Sequence, residues 1–309
     1  MADAMVIVVT GGNSFLARHL IPYFASRKAI VFATYRTADE RLEALQRVPG
    51  VHLVQLNIAE YEEGYRQLPQ EADALVHVAA ASTARPGGID DFITCNVIGA
   101  RNVARYARAA RIKKVIYTSS ISVYGDIHEP YLQETHPITN PDDYGLTKYL
   151  AERLFAETEG LSCVALRLPG ILGKGAHRAW IPTLLHRIMQ GDRKAPIYSP
   201  HSHFNNATHV REISEFVWLL LNSPISGFNA VNVAAADPIT IREVIALMAE
   251  ILGETIQIVE RPALRPSFII SSERAELLGY KALPIKQILR RYFEEASLVG
   301  EGTRSGKMT

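Results

Sequence analysis

Short apolar runs alternate with longer helical patterns through the first half of the chain. Runs rich in Val, Ile and other strand-forming residues predict strands at residues 5–9, 30–35, 51–56, 74–78, 114–118 and 163–168. Between these runs apolar residues recur at helical spacing, as Leu16, Leu20 and Phe24 do after the first strand. This alternation predicts right-handed βαβ units and a doubly wound parallel sheet in an α/β fold.

The pattern becomes irregular after the sixth strand. Loops rich in Gly, Pro, His and Asn, such as "PGILGKGAHRAWIP" and "YSPHSHFNNATHV", accompany helices predicted over residues 180–189 and 210–221. Irregular segments of this kind commonly build substrate sites. We therefore expect one large α/β domain over residues 1–168, with returns to it over roughly 203–233, and a smaller α/β substrate-binding lobe formed mainly by residues 169–309.

Composition and charge exclude several classes of function. A chain of 309 residues with 48% hydrophobic residues can bury a large core, and its 33 basic residues nearly balance its 32 acidic ones. No global field therefore attracts nucleic acid or an anionic membrane. The apolar run at residues 5–9 is too short for a signal peptide or a membrane span. We expect a cytoplasmic protein that binds neither nucleic acid nor a membrane.

Cysteine and histidine spacing argues against metal and disulfide chemistry. Cys95 and Cys163 are the only cysteines, too few for a disulfide framework and without the paired spacing of a zinc site, which fits a reducing cytoplasm. His201, His203 and His209 show no metal-ligand pattern. We expect no metal.

The turn after the first strand, "VTGGNSFLARHL" at residues 9–20, begins like a dinucleotide-binding loop. In such loops the first glycine permits a tight turn, the second lets the backbone approach a pyrophosphate, and the third lets helix pack on strand. Here those places hold Gly11, Ser14 and Ala17. A hydroxyl at Ser14, or the amide of Asn13, can cap the helix or bind phosphate. A turn without a ligand is the alternative.

The second strand ends in "VFATYRTADE". NAD-selective sites usually carry an acidic residue at this place to hold the ribose 2′-hydroxyl. Tyr35 and Arg36 stand there instead, and Asp39 and Glu40 are expected to lie too far along the chain. Arginine binds the 2′-phosphate of NADP by charge-assisted hydrogen bonds, so the sequence favours NADP(H) over NAD(H). A solvated surface charge at Arg36 is the alternative.

Candidate catalytic residues follow the fifth strand. "TSSISVYG" at residues 118–125 ends that strand, and "DDYGLTKYLAE" at 142–152 opens the next helix. Tyr144 and Lys148 are four residues apart and therefore share a helical face. A nearby ammonium favours phenolate, so Tyr144 can pass a proton while Ser120 hydrogen-bonds the reacting oxygen. A Tyr-x-x-x-Lys spacing is common by chance. The prediction therefore depends on the place of this pair, one element after the fifth strand.

Several motifs in this order resemble the extended short-chain dehydrogenase/reductases, the group of nucleotide-sugar epimerases, dehydratases and reductases. The shared motifs are "VTGGNSFLARHL", "LVHVAAAS", "CNVIGARNV", "TSSISVYG", "YGLTK", "LRLPGILG" and "NNATHVREISEFV". The resemblance implies a Rossmann-like fold with Tyr144 as acid/base, Lys148 as its partner and Ser120 as the third catalytic member. It covers nearly the whole chain.

The same resemblance implies binding residues. The cofactor contacts it implies are Gly11, Asn13, Ser14, Phe15, Leu16, Tyr35, Arg36, Asn57, Ile58, Ala79, Ala80, Ala81, Asn96, Thr118, Tyr144, Lys148, Leu168, Gly170 and Ile171. The substrate contacts it implies are Ser82, Thr83, Ser120, Ser122, Asn205, Arg261 and Arg265. Structural roles compete for some of these positions: a satisfied helix polar residue at Asn96, tight sheet packing at the alanines, and solvated loop charges at the two arginines.

Departures from the family pattern narrow the reaction. Family dehydratases carry Asp-Glu where this chain has Ile121 and Ser122, so a 4,6-dehydratase is disfavoured. Gly170 and Asn205 stand where many epimerases have an asparagine and an arginine, and Arg261 or Arg265 resembles a family arginine that clamps a diphosphate.

We therefore expect an NAD(P)-dependent enzyme that reduces the 4-keto group of a nucleotide-activated (deoxy)hexose in polysaccharide biosynthesis. A nucleotide-sugar C4 epimerase resembling UDP-glucose 4-epimerase is the alternative. A non-catalytic NADP-binding sensor is a third reading, disfavoured because Tyr144 and Lys148 are both kept. Family members often pair through the helix before the fifth strand and the helix carrying Tyr144, so we expect a homodimer.

Overall fold

A computed structural model describes residues 4–61, 64–82, 88–177, 179–263 and 266–304, with side chains up to residue 298. Thr83 and Arg265, both expected to contact substrate, lie outside the described residues. The chain divides into two compact units, the first comprising Met1–Asp126, Pro137–Leu168 and Ile213–Val231, the second Ile127–His136, Pro169–Glu212 and Asn232–Thr309. Residues 127–136, which we expected in the first domain, therefore belong to the second unit.

The strands occur in the following order along the described chain: β1 Val6–Thr10, β2 Ile30–Tyr35, β3 Val51–Gln55, β4 Ala74–His77, β5 Lys114–Ser120, β6 Tyr131–Leu132, β7 Ser162–Leu168, β8 Gly170–Leu172, β9 Lys194–Tyr198, β10 His203–Phe204, β11 Ala207–His209, β12 Phe228–Asn232, β13 Ile239–Thr240, β14 Gln257–Arg261 and β15 Ile269–Ile270.

The α-helices are α1 Ala17–Ser26, α2 Arg41–Gln46, α3 Gly88–Phe92, α4 Gly99–Ala109, α5 Asp143–Ala156, α6 Trp180–Met189, α7 Val210–Asn222, α8 Ile241–Leu252, α9 Glu273–Leu277 and α10 Ile285–Arg304. A π-helical segment, Ile93–Ile98, joins α3 to α4. Short 3₁₀ turns occupy Gly64–Gln67 and Ile121–Tyr124.

The first unit contains a seven-stranded sheet in the order β12-β7-β5-β4-β1-β2-β3. Strands β7, β5, β4, β1, β2 and β3 pair in parallel, with Val8 of β1 opposite Phe32 on one side and Leu75 on the other. The predicted doubly wound α/β fold is confirmed. The sequence pattern did not predict β12, because the polar residues of "FNAVN" hide its strand character.

The core of this unit explains why its strands read as continuous apolar runs. Val8, Leu75 and Val115 are fully buried in the centre of the sheet, and Val103 of α4 and Phe155 of α5 are fully buried in the same core cluster. Strands covered on both faces by helices bury both sets of side chains, so strict alternation of polar and apolar residues disappears.

The second unit is built from short strand pairs and helices. Strands β10 and β13 pair antiparallel, whereas β8 pairs with β11, β9 with β14 and β6 with β15 in parallel. Its apolar core includes Leu184 of α6, Met248 of α8 and Phe293 of α10. Helix α8 starts with a capping box between Thr240 and Glu243. Within the described residues, no helix combines the length and apolar character needed to cross a membrane.

Candidate active site

Gly11 brings the end of β1 close to the loop after β4. Its φ is +73°, and a Cβ built on it would lie 2.8 Å from the Ala79 Cα, so only glycine fits without displacing backbone. The Thr10 hydroxyl accepts hydrogen bonds from the Val78 and Ala79 N–H groups at 3.1 and 3.2 Å. These contacts fix two strand ends side by side at the carboxyl edge of the sheet, the edge where doubly wound folds bind their ligands.

Ser14 occupies the turn without strain. Its N–H donates to the Gly11 carbonyl at 2.8 Å, and its hydroxyl accepts from the Ala17 N–H at 3.3 Å at the start of α1. The Ser14 hydroxyl therefore satisfies a backbone N–H at the start of α1. Asn13, the other candidate cap, instead donates its side-chain amide to the Thr37 carbonyl at 3.2 Å and to the Asp39 carboxylate at 3.0 Å.

Asp39 is therefore nearer to the loop than its place in the sequence suggested. Its carboxylate also forms an ion pair with Arg41, including an Nε bond of 2.9 Å, and these hydrogen bonds outweigh burial to keep the pKa of Asp39 below its ordinary value. The Nε of Arg18 is buried with no hydrogen-bond partner among the described residues. Burial and then the charge of Arg41 lower the pKa of Arg18. Arg36 is exposed, one residue after β2.

Helix α5 starts directly against the turn that follows β5. Asp142 caps it by accepting the Gly145 N–H at 2.7 Å. A Cβ at Gly145 would overlap the Ser122 carbonyl oxygen, so glycine is what allows this approach. Tyr144 lies half-buried in the first turn, with its ring 6.0 Å from that of Phe92.

Lys148 is the central charged group of the site. Its side chain is buried, its Nζ donates to the Thr118 carbonyl at 2.5 Å, and Nζ lies 4.4 Å from the centre of the Tyr117 ring. Burial lowers the pKa of Lys148 to about 7, although Cys95 and Glu152 act in the opposite direction. With its pKa near 7, Lys148 can take up or release a proton readily near neutral pH.

Ser120 ends β5 and caps the 3₁₀ turn that follows. Its Oγ accepts the Ser122 N–H at 3.1 Å and donates to the Ser122 Oγ at 3.1 Å. A half-buried hydroxyl held in this way has a fixed position at the carboxyl end of the strand, where α/β sheets bind their ligands.

Asn96 links the loop after β4 to helix α5. Its Oδ1 accepts the Ala81 N–H at 2.8 Å, and its Nδ2 donates to the Ala81 carbonyl at 3.3 Å and to the Thr147 hydroxyl at 3.1 Å. Thr147 in turn donates to the Tyr144 carbonyl at 3.0 Å. The asparagine is a satisfied buried polar residue, and it connects the alanine loop to the helix that carries Tyr144.

The remaining cofactor candidates of the first unit lie at strand ends. The Thr118 hydroxyl donates to the His77 carbonyl at 3.1 Å, and Tyr35 closes β2. Asn57, just after β3, bonds Glu60 through its side-chain amide at 2.7 Å. The others are Phe15 and Leu16 between β1 and α1, Ile58 after β3, Ala80 after β4 and Leu168 at the end of β7.

In the second unit the candidates differ in how their polar atoms are used. The buried Asn205 donates to the Ala235 and Ile270 carbonyls at 3.0 and 2.8 Å and accepts the Ile270 N–H at 3.0 Å. Its amide thus ties backbone segments of that unit together. Gly170 and Ile171 lie in β8. Arg261 is exposed at the end of β14, in register with Tyr198 of β9.

Of the three histidines without a metal-ligand pattern, His209 has a protein partner: its Nε2 lies 3.2 Å from a Glu295 oxygen. The described residues contain no group of histidine, cysteine and acidic side chains arranged to hold a metal ion.

A sequence model of the NAD dependent epimerase/dehydratase family matches residues 7–234, more than half of the chain. The chain belongs to this family. Its members are NAD-dependent enzymes, so the resemblance read from the motifs is confirmed. Among solved structures, UDP-glucuronic acid 4-epimerase from Bacillus cereus in complex with NAD superposes with a TM-score of 0.82 at 16% identity, covering 96% of this chain and 98% of that one. A likeness at this identity shows the shared fold.

Curated relatives of this epimerase/dehydratase family member include reductases. A 4-hydroxy-2-methyl-3-oxo-4-farnesyl-3,4-dihydroquinoline-1-oxide ketoreductase from Stigmatella aurantiaca is 27% identical over 79% of this chain and 72% of its own length. A dTDP-4-dehydro-6-deoxy-D-allose reductase from a Streptomyces species is 22% identical over 91% of this chain and 92% of its own length.

Sequence reasoning missed two buried charged residues of this family member, Glu152 and Arg167, which form an ion pair beneath the site. A signal was present for each. Glu152 follows Lys148 by one helical turn, and Arg167 interrupts the otherwise apolar run at residues 163–168.

Proposed function

We propose that this protein reduces the 4-keto group of a nucleotide-activated (deoxy)hexose with NADP(H), with Ser120, Tyr144 and Lys148 as catalytic residues. One observation carries the proposal: the buried Lys148 donates to the Thr118 carbonyl at 2.5 Å. Lys148 lies one helical turn after Tyr144, and Thr118 lies two residues before Ser120. An amine buried in this way costs stability, and such a cost is typical of catalytic groups. The Streptomyces relative, by its name, acts on a sugar of this class.

The residues present fit a dinucleotide. Gly11 packs against the Ala79 backbone, where a Cβ would push the loop after β4 away from the end of β1. Ser14 and the first turn of α1 would hold the phosphates, and Tyr35 and Arg36 the adenine ribose. When bound, the cofactor supplies the hydride. The positive charge of Arg36, exposed one residue after β2, supports NADP.

The chain's own residues then handle the proton. In the reduction, the Tyr144 phenol would donate its proton to the carbonyl oxygen, which would become a hydroxyl. The Lys148 ammonium stabilises the resulting phenolate and would hold the nicotinamide ribose. The Ser120 hydroxyl, which donates to Ser122 in this structure, turns its hydrogen to the same substrate oxygen.

The proposed substrate ligands include Arg261, Ser82, Ser122, Thr83 and Arg265. Asn205 is a weaker candidate because its amide is fully used within the protein.

A C4 epimerase is the second candidate, and Asp39 favours it. Its carboxylate lies beside Asn13 of the phosphate loop, where acidic residues of NAD sites bind the ribose 2′-hydroxyl. Epimerisation needs the same Tyr144 and Lys148 but retains NAD through both hydride transfers. The Bacillus cereus structure of that activity holds NAD.

Purified protein mixed with a panel of nucleotide 4-keto-sugars and either NADPH or NADH tests the proposal. We expect oxidation of NADPH with at least one sugar, and loss of at least 99% of turnover in Tyr144→Phe, about the size of a general acid's contribution. Interconversion of two UDP-sugars by bound NAD, without consumption of NADPH, would establish the epimerase instead. A hydrophobic 3-oxo compound belongs in the panel because of the Stigmatella relative, and activity on it alone would refute sugar reduction.

We propose a homodimer formed through α4 and α5. Leu146 and Leu150 of α5 and Ile93 of the π-helical segment are each 41% exposed, an apolar strip that a second copy would cover. A cytoplasmic location is proposed from the two free cysteines. Light scattering of the wild type and of Leu150→Glu tests the dimer, since a charge in that interface should give a monomer.

A further inference from the structure

A buried ion pair lies beneath the candidate catalytic residues. The side chains of Arg167 on β7 and Glu152 on α5 are 6% and 1% exposed. Two bonds join them, Nη2 to Oε2 at 2.7 Å and Nε to Oε1 at 3.0 Å. Burial opposes the charge of Arg167, but the hydrogen bonds and charge of Glu152 outweigh it and raise the pKa of Arg167. Because desolvating two ions costs several kcal/mol each, stability alone explains such a pair poorly.

The pair is bonded to the residues that flank Ser120. The Ser119 hydroxyl donates to Glu152 Oε1 at 2.5 Å. Arg167 Nη1 donates to the Tyr124 hydroxyl at 2.8 Å, and its guanidinium carbon lies 4.7 Å from the centre of that ring. Tyr124 ends the turn that Ser120 caps. The ion pair therefore holds both sides of the segment that carries the reactive serine.

Three successive residues of β5 bond to helix α5. The Tyr117 hydroxyl donates to the Lys148 carbonyl at 3.4 Å, the Thr118 carbonyl accepts from Lys148 Nζ at 2.5 Å, and Ser119 bonds Glu152. Lys148 and Glu152 are one turn apart and share the buried face of α5. Their bonds fix the helix lengthwise against the strand.

The charge of Glu152 also favours the Lys148 ammonium. Other titratable groups around the two residues are neutral or already paired. Burial raises the pKa values of the Cys95 and Cys163 thiols and the Tyr117 phenol, and burial followed by the charge of Lys148 lowers the pKa of His77 to about 3. Of the remaining groups, Arg167 and Tyr124 are bonded as described, and Tyr144 lies one turn before Lys148 on the same helix.

We propose that Glu152, held by Arg167, is a positioning residue: it sets the register of α5 against the end of β5 and supplies the buried negative charge that stabilises the Lys148 ammonium. This inference rests on the roles proposed above for Tyr144 and Lys148.

The test uses the double variant Glu152→Gln/Arg167→Met, which removes both charges at once. Replacing a buried ion pair with hydrophobic side chains of similar volume is often neutral. The amide oxygen introduced by Glu152→Gln can still accept the bond from Ser119, so we expect a folded protein. The single variant Glu152→Gln is a poorer probe, since it strands a buried guanidinium. Glu157→Gln is the matched control, because Glu157 caps the end of the same helix in an exposed ion pair with Arg153.

The readout is the dissociation constant of NADPH, and separately of NADH, measured by nucleotide fluorescence between pH 5 and 9. In the wild type we expect affinity to fall as pH rises past about 7, where Lys148 loses its proton. In the double variant the nucleotide affinity should begin to fall about one pH unit lower, because the Lys148 ammonium has lost the negative charge of Glu152. Glu157→Gln should follow the wild type. A folded double variant with the wild-type pH dependence would overturn the proposal.

Ser119→Ala serves if the double variant does not fold. It keeps the ion pair and removes only its bond to β5, so we expect a folded protein with a lower melting temperature, a KM near wild type and a kcat that falls about tenfold or more. Wild-type kcat in Ser119→Ala would then refute the positioning role. The two proposals fail separately: full turnover in Tyr144→Phe defeats the proposed mechanism, whereas the pH dependence of nucleotide binding judges Glu152 without any turnover.

Discussion

Lys148 Nζ lies 4.4 Å from the centre of the Tyr117 ring, in a site where the lysine is 2% exposed. The ring face and the Thr118 carbonyl offer partial negative charge to the ammonium. They offset only part of the cost of burial, which is why the pKa of Lys148 falls to about 7. Lys148 therefore affects both the stability of the folded protein and the proposed proton transfer.

Lys148→Met should be more stable than the wild type and inactive. Below pH 7 the lysine is charged in both folded and unfolded chains, and the full cost of burying it is present. Between about 7 and its ordinary value of 10.5 only the unfolded chain keeps the proton, so wild-type stability rises with pH. We expect a gain of about 2–4 kcal/mol at pH 6 that shrinks toward pH 10. Thermal melting at several pH values measures it, and a gain independent of pH would contradict the assignment.

Acid should unfold the protein partly through His77. Burial and then the charge of Lys148 lower the pKa of this histidine to about 3 from its ordinary 6.5. Within that window the unfolded chain binds a proton that the folded chain does not, so stability falls as pH drops, by up to about 1.4 kcal/mol per pH unit. Urea unfolding at pH 6.5 and 4.5 measures the slope. His77→Asn should show a shallower slope, and an equal slope would rule out His77 as its source.

Arg36→Ala should lose NADP selectivity. Removing a guanidinium from the 2′-phosphate should weaken NADPH binding at least tenfold and leave NADH binding within a factor of two, since a charge-assisted bond contributes about 1.5–3 kcal/mol. Fluorescence titration with each nucleotide measures both constants. Arg47→Ala is the control, because Arg47 is 82% exposed and follows α2. Equal losses for both nucleotides would remove the argument for NADP.

Gly11→Ala should abolish nucleotide binding. A methyl group there would press on the Ala79 backbone, and the positive φ adds strain. Calorimetric titration with NADPH, beside a melting curve, separates lost binding from lost fold. Retained affinity would show that the loop does not carry the pyrophosphate.

Ser14→Gly tests the departure of this loop from the usual glycine pattern. The hydroxyl bonds the Ala17 N–H at 3.3 Å, so we expect a small loss of stability of about 0.5 kcal/mol or less and NADPH affinity equal to or above wild type. The same titration measures it. A large loss of affinity would mean that the hydroxyl itself holds phosphate.

The sequence by itself determined the parts of the protein that depend on local pattern. Buried strands read as apolar runs, helices as periodic ones, and the place of Tyr144 and Lys148 on one helical face follows from their spacing alone. The order of the motifs along the chain was then sufficient to identify the family.

Only the tertiary structure decided which polar atoms are free to act. Asn13 looked like a helix cap, yet the fold brings Asp39 within 3.0 Å of its amide. Asn205 looked like a substrate ligand, yet the fold uses its amide for backbone groups far away in the chain. Glu152 and Arg167 drew no notice until strand and helix were packed together. Hydrogen-bond partners and desolvation are set by neighbours distant in sequence, and no local pattern encodes them.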